Sequence, residues 1–221
     1  MKFYTHLHNN FLTASRNLID FINPIGFYLI SIIIFVFFFG IENNTLVQFL
    51  PAIMWVSAFL ANLLALDKLY SQDYNSGILE LFLINKSVGL SYASAKLVYY
   101  YIVTIIPQVL VSILISIVFN LSYKLAFVLA ISLLLGNLLF TILGAIIMAI
   151  MVNIRKSNIL TSVILLPLFI PVIIFASSIL YAASHELNYI GSMGILLSFG
   201  FILAPIAPFA IYYALKLGYE V

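Results

Sequence analysis

From Leu125 to Val152 the chain reads LAFVLAISLLLGNLLFTILGAIIMAIMV, 28 consecutive residues without Asp, Glu, Lys, Arg or His. A straight α-helix of that length runs about 42 Å at 1.5 Å per residue. The hydrocarbon core of a bilayer is about 30 Å thick, so such a helix must tilt, bend or project from it. Gly136 and Gly144 are the expected bend points. Working outward, five more stretches are equally free of ionisable side chains: Phe21–Gly40, Leu46–Leu66, Leu97–Phe119, Ile159–Ala183 and Met193–Leu215. Each is long enough to cross a bilayer. The expected fold is therefore an all-α integral membrane protein with about six transmembrane helices.

Composition agrees. Of 221 residues, 65% are hydrophobic and 7% are charged, and the mean hydropathy is +1.21. A soluble domain carries about a quarter charged residues, so this chain cannot cover a water-facing surface. The net charge of +2 leaves no electrostatic footprint for nucleic acid. With no cysteine, disulfides, thiolate metal sites, a cysteine nucleophile and covalent c-type haem attachment are excluded on this chain. The first twenty residues lack the apolar core of a cleavable signal peptide, so the first span is expected to be retained.

Charge placement sets the expected topology. With the N-terminus inside, Lys2, Arg16, Lys68, Lys86, Lys96, Arg155, Lys156 and Lys216 fall on the inner side, and only Lys124 falls outside. That is a strong positive-inside bias. Both termini are then cytoplasmic, and the outer segments Ile41–Thr45, Asn120–Lys124 and Ser184–Ser192 are short.

Two inner segments are more than connectors. Near the N-terminus, Tyr4, Leu7, Phe11, Leu18 and Ile22 fall at helical spacing, with Ser15 in the gap. Lys2, His6, His8, Asn9, Asn10, Arg16, Asn17 and Asp20 are the polar complement. Residues 1–22 read as an amphipathic helix lying on the membrane surface. Asn23-Pro24 predicts a sharp change of direction, since a residue before proline resists the α conformation. The second segment, Asp67–Lys96, carries Asp67, Lys68, Asp73, Glu80, Lys86 and Lys96. Within it Asp73-Tyr74-Asn75-Ser76-Gly77 is turn-like. Ile78–Ile84 is an apolar run too short to span. It suits either a short helix docked in a groove of a cytoplasmic partner or a piece packed on its own bundle.

Some chemistry is missing. There is no G-x-x-x-x-G-K-[ST] loop, so ATP hydrolysis is not expected of this chain. No G-x-G-x-x-G or H-E-x-x-H occurs, and no metal site is expected, because the spans hold no carboxylate to join His6, His8 or His185. Proton-coupled carriers use a buried ionisable group, and the spans have none. A driven transporter of this kind most simply takes energy from another subunit.

The uncharged features carry two interpretations each. Pro51, Pro107, Pro167, Pro171, Pro205 and Pro208 lie in or near spans. They mark hinges or broken helices along a pathway, or ordinary kinks of membrane helices. Pro167 and Pro171, four residues apart, are the best hinge candidate. Asn62, Gln108 and Asn137 at membrane depth either bond across helices or contact substrate. Ser57, Ala61 and Ala65 form a small-residue stripe for close packing, within one chain or between two. His185, beside Glu186 in an outer segment, is a candidate axial iron ligand or a polar loop residue.

Several motifs together resemble the haem exporter protein B (CcmB) family, the membrane permease of bacterial cytochrome c maturation. They are Asn23-Pro24, Pro51-Ala52-Ile53-Met54-Trp55-Val56, Leu64–Leu69, Asp73, Gly77-Ile78-Leu79-Glu80 and Ala95-Lys96. Leu135-Gly136, Leu143-Gly144-Ala145, Leu165–Pro171 and Ala204–Phe209 complete the set. Asp67 stands where the family commonly has glutamate, which keeps the charge. The resemblance implies one ABC-2-type permease domain over residues 1–221, in the bacterial inner membrane. It also implies a cytoplasmic ATP-binding subunit, a second copy of the chain, a haem-handling membrane protein and a small single-span subunit as partners. Haem enters as a transported or handled ligand, not as a cofactor of this chain. The coupling loop 67–96 would then meet the ATPase, with Asp73, Gly77 and Glu80 at the contact. Pro51, Trp55, Asn62, Gly136, Asn137, Pro167 and Pro171 are the hinge or pathway candidates. A permease for another apolar cargo such as lipid is the alternative; an intramembrane enzyme lacks a nucleophile–base pair at depth.

Overall fold

Backbone amides inside lipid must find their partners within their own segment, and this chain meets that demand with helices. The computed structural model describes residues 3–8, 10, 18–40, 44–152 and 158–219, and among them there is no β-strand. Six long helices follow one another: α1 (Leu18–Phe39), α2 (Asn44–Leu66), α5 (Lys86–Val118), α6 (Tyr123–Met151), α7 (Asn158–Ser184) and α8 (Ile190–Tyr219). Two short ones, α3 (Ser71–Asn75) and α4 (Ile78–Leu83), stand between α2 and α5. Five of the long helices are apolar enough over sufficient length to cross a membrane; in α1 the apolar part is the shorter Asn23–Phe39. Residues 3–8 and 10 are also helical. Phe11 and Ser15 of the expected surface stripe lie outside the described residues, as do Lys2, Asn9, Arg16, Asn17, Arg155 and Lys156.

Helix ends are written in the sequence. Gly40 closes α1 at φ +82°, a left-handed value that costs glycine little. The Asn85 side chain accepts the Ser87 amide at 3.0 Å and starts α5, as an N-cap does. Ser122 accepts the Leu125 amide at 3.3 Å and starts α6. Between those two helices Asn120 turns at φ +51°.

Helix α6 is the hub, packing on α2, α5, α7 and α8, while α1 lies against α2 and α5. In a bilayer the association of helices rests on close packing, since lipid is as apolar as the side chains. Gly136 and Gly144 serve that packing. A Cβ at Gly136 would fall inside the Trp55 indole, and one at Gly144 inside the Leu66 side chain. Both glycines, the expected bend points, thus lie within an unbroken α6 as close-contact sites. Ser57 and Ala61 are fully buried, so the small-residue stripe is used within the chain.

Three further expectations change. Helix α1 runs through Asn23-Pro24 without a break. The proline removes one amide near the helix start, and its ring is buried, so packing holds the helix where local preference opposes it. Residues 86–96 belong to α5, not to a loop. The Asn85 cap and the burial of Tyr92, Ala93 and Ala95 draw the helix eleven residues ahead of the expected start at Leu97. Finally, Pro51, Pro107, Pro167, Pro171, Pro205 and Pro208 all sit inside continuous helices, so none of them breaks a helix. Pro167 and Pro171 face outward.

Candidate functional site

The segment between α2 and α5 forms an elbow at one end of the bundle. After Leu66 the chain turns, with the Leu69 amide donating to the Leu66 carbonyl at 3.0 Å. Helices α3 and α4 are joined through Ser76 and Gly77. Gly77 has φ +71° with open space around it, the left-handed turn for which glycine is suited. Leu79 and Leu83, four residues apart on one face of α4, are buried, and Leu79 is fully so. They seat α4 on the bundle beside α5 and α8. Gly77, Ile78, Glu80, Leu81 and Ile84 are exposed, Leu81 at 65% and Ile84 at 81%. So the short helix packs on its own chain with one face and presents a mixed apolar and acidic face outward.

Asp73 is not part of that outward face. Its Oδ2 lies 2.6 Å from Lys96 Nζ, with the two side chains only 22% and 11% exposed. The Tyr92 hydroxyl donates to the same oxygen. Lys96 also sits over the Tyr92 ring, 5.9 Å from its centroid. Phe82 of α4 stacks on Tyr92 at 4.9 Å, and His6 packs edge-on against Phe82 at 4.8 Å. His6 therefore turns to the elbow, where the sequence reading placed it on the polar face of a surface helix. Nothing in the spacing of His6 and Phe82 announces that contact. A cavity of about 140 Å³ opens beside the ion pair, lined by Pro24, Lys68, Asp73, Lys96, Tyr100 and Thr104 among others.

Deeper in the bundle three amide side chains meet. Asn62 (α2), Gln108 (α5) and Asn137 (α6) are all fully buried. The Asn62 amide donates to the Ala58 carbonyl at 2.9 Å, to Gln108 Oε1 at 3.5 Å and to Asn137 Oδ1. Tyr100 binds the Asn62 carbonyl at 3.1 Å. One polar atom of each amide, Asn62 Oδ1, Gln108 Nε2 and Asn137 Nδ2, has no hydrogen-bond partner among the described residues. Buried polar groups without partners cost on the order of 1–3 kcal/mol each, so this knot is held below its hydrogen-bonding capacity.

At the opposite end of the bundle a groove of about 370 Å³ lies between α2 and α7. Phe49, Pro51, Trp55 and Phe59 line it from α2, Tyr181 from the end of α7, and His185 stands just past that helix. Trp55 donates from Nε1 to Ser132 Oγ of α6 at 3.0 Å. Its ring is 5.9 Å from Phe140, and Phe59, Phe140 and Phe169 continue the aromatic floor with centroids 4.5–5.8 Å apart. Of the residues singled out in the sequence, the structure thus unites Asn62 with Asn137, and Trp55 with Gly136, Pro51 and His185. Gly77 and Glu80 share the exposed elbow face, and Asp73 is tied inward. Gln108, also singled out in the sequence, joins the first pair, Lys96 of the charged segment holds Asp73, and Tyr92, which the sequence did not announce, joins them there.

The sequence pattern of the CcmB protein family matches residues 1–218. The chain is 37% identical to heme exporter protein B of Escherichia coli (strain K12) over 220 residues, the whole of both chains. It is 33% identical to heme exporter protein B of Haemophilus influenzae over 207 residues, 94% of each chain. With heme exporter protein B of Pseudomonas aeruginosa it shares 31% identity over 196 residues, 89% of this chain and 88% of the relative.

Proposed function

The chain belongs to the CcmB protein family, and from that premise we propose that it is the membrane permease subunit of an ABC-type complex that supports haem export in c-type cytochrome biogenesis. The relatives' shared name supports the haem assignment. The observation that carries the permease reading is the elbow. A bundle without ionisable residues at depth has no coupling group of its own, and a rigidly seated helix facing outward is a means of receiving work from a partner.

The partner is a separate cytoplasmic ATP-binding subunit, which supplies the hydrolysis that this chain has no phosphate loop to perform. It meets Gly77, Glu80 and the apolar residues around them. Glu80 pairs with a basic side chain of that subunit, and Leu81 and Ile84 fill apolar contacts beside it. Asp73 acts one step behind the contact, passing displacement of α3 and α4 to α5 through Lys96. A second copy of the chain, a haem-handling membrane protein and a small single-span subunit complete the assembly. The bias of Lys and Arg toward the elbow side supports a bacterial inner-membrane location with both termini cytoplasmic.

The experiment is complementation. A strain lacking the gene is expected to lose covalently haem-stained c-type cytochromes and to regain them with the intact chain. Glu80→Lys is expected to insert normally but to recover less ATP-binding subunit on co-purification from detergent. Unchanged cytochromes in the deletion strain would refute the haem assignment, and unchanged recovery of the subunit would refute the elbow contact.

A further inference from the structure

The cavity beside the Asp73–Lys96 pair stands where the uncharged helices give way to the charged elbow. Leu64 and Ala65, in the last turn of α2, and Val103 and Thr104 of α5 line its deeper part. Lys68, Gln72, Asp73 and Lys96 line the part nearer the elbow, and Asn23 and Pro24 join them from the start of α1. The lining thus passes from apolar to charged along the helix axes, as a bilayer passes from hydrocarbon to headgroup.

This lining has more to donate than to accept. Two ammonium groups, Lys68 and Lys96, stand against one carboxylate, Asp73, which leaves one positive charge in excess. Asp73 already takes Lys96 at 2.6 Å and the Tyr92 hydroxyl on a single oxygen. Asn10, from the N-terminal helical residues, also lines the cavity, and its Nδ2 is closed off from solvent with no acceptor among the described residues. A buried donor without an acceptor is costly. An anionic oxygen suits both features, since hydrogen bonds to a charged acceptor are the strong ones.

Size limits how much of a ligand enters. At about 140 Å³ the cavity falls below the about 300–1,000 Å³ of sites that enclose a small molecule. It takes one end of a longer molecule. The remainder has a track outside. Leu64 is 42% exposed, and Leu60 and Val56, at steps of four along the same face of α2, are 38% and 45% exposed. That row leads from the cavity into the depth of the bilayer.

We propose that this cavity binds the phosphate of an anionic phospholipid from the leaflet that meets the elbow, with Lys68 and Lys96 on the phosphate oxygens and an acyl chain along Leu64, Leu60 and Val56. Basic pockets between membrane helices take anionic headgroups in this way. The bound phosphate shares Lys96 with Asp73, so the lipid joins α1, α2 and α5 at the ion pair that fastens the elbow. Neither a cargo nor an ATP-binding subunit is needed for it.

The test is native mass spectrometry of the full chain released from detergent, titrated with phosphatidylglycerol or phosphatidylcholine. The wild type is expected to retain phosphatidylglycerol in preference to phosphatidylcholine. Lys68 and Asn23 are exposed, so folding is not at stake when they are changed. Lys68→Gln is expected to weaken phosphatidylglycerol binding by about tenfold or more, beyond the about fivefold that one lysine near an anionic surface contributes through its field alone. Asn23→Asp keeps the shape, adds a negative charge and is expected to weaken binding in the same direction. Lys86→Gln removes an equal charge from an exposed position at the elbow but outside the cavity lining, and is expected to change binding by no more than about fivefold. Equal retention of the two lipids by the wild type, or equal losses in Lys68→Gln and Lys86→Gln, would overturn the site. Displacement of phosphatidylglycerol by millimolar glycerol 3-phosphate would overturn it too and give the cavity to a soluble phosphate ester. Each of these failures leaves the permease assignment standing, because complementation reads that separately.

Discussion

Lys96 and Asp73, 23 positions apart, form an ion pair of 2.6 Å that ties the elbow to the third long helix. Both side chains are mostly buried, and the Tyr92 hydroxyl joins them on the same carboxylate oxygen. The elbow is thus fastened to α5 through a charge-assisted contact, which is shorter and stronger than a neutral hydrogen bond.

Removing one partner of this pair leaves the other half-buried and uncompensated. Asp73→Ala is expected to destabilise the elbow by about 2 kcal/mol, below the range for fully buried pairs because both groups keep some contact with water. Faster proteolysis between residues 67 and 85, with the long helices intact, is the readout. Lys96→Met paired with Asp73→Leu should recover much of the loss, and absence of recovery would show that the charge itself is required.

Leu79 and Leu81 separate anchoring from docking. Leu79→Ala deletes a fully buried side chain and should cost about 2–5 kcal/mol, seen as a lower melting temperature in detergent. Leu81→Ala changes a side chain that is 65% exposed and should move stability by less than about 0.5 kcal/mol. It should nevertheless reduce recovery of the ATP-binding subunit, and equal recovery would remove Leu81 from the contact.

Gly136→Ala drives a methyl group into the Trp55 indole. Overpacking of this kind costs about 1–3 kcal/mol. Trp55 is the sole tryptophan, so a change in its emission reports the displacement directly. Trp55→Phe should relieve the clash, and the double variant should melt higher than Gly136→Ala alone.

The amide knot offers a test of polar specificity. Asn137→Leu leaves the Asn62 amide without its closest acceptor and should cost about 1–3 kcal/mol. Asn62→Leu with Asn137→Leu removes both sides of the contact and should come back toward wild-type stability. If haem export falls in the double variant while stability holds, the knot serves the transport cycle and not only packing.

The helices and the elbow were legible because their signals are local. Lipid forces any long uncharged run to bond its own backbone, and Gly77 declared its turn through the one backbone region glycine occupies freely. The same local signals misplaced the break at Pro24 and the start of α5, where burial of Pro24, Tyr92 and Ala95 outweighs the preference of the nearby backbone. At Gly136 and Gly144 the close contacts with Trp55 and Leu66 were not legible, since a glycine in a sequence does not say what approaches it.

The number of apolar helices, the charged elbow between the second and third spans, and the want of any ATP-hydrolysing loop followed from the amino-acid order alone. Which helix face points inward did not, because these helices are apolar all round and carry little stripe to orient them. Only the folded chain decides that Asn62 finds Gln108 and Asn137, that Lys96 claims Asp73 away from the outer face, and that Trp55 and His185 frame one groove. Those pairings depend on the rotation and neighbours of each helix, set by side-chain packing across segments far apart in sequence.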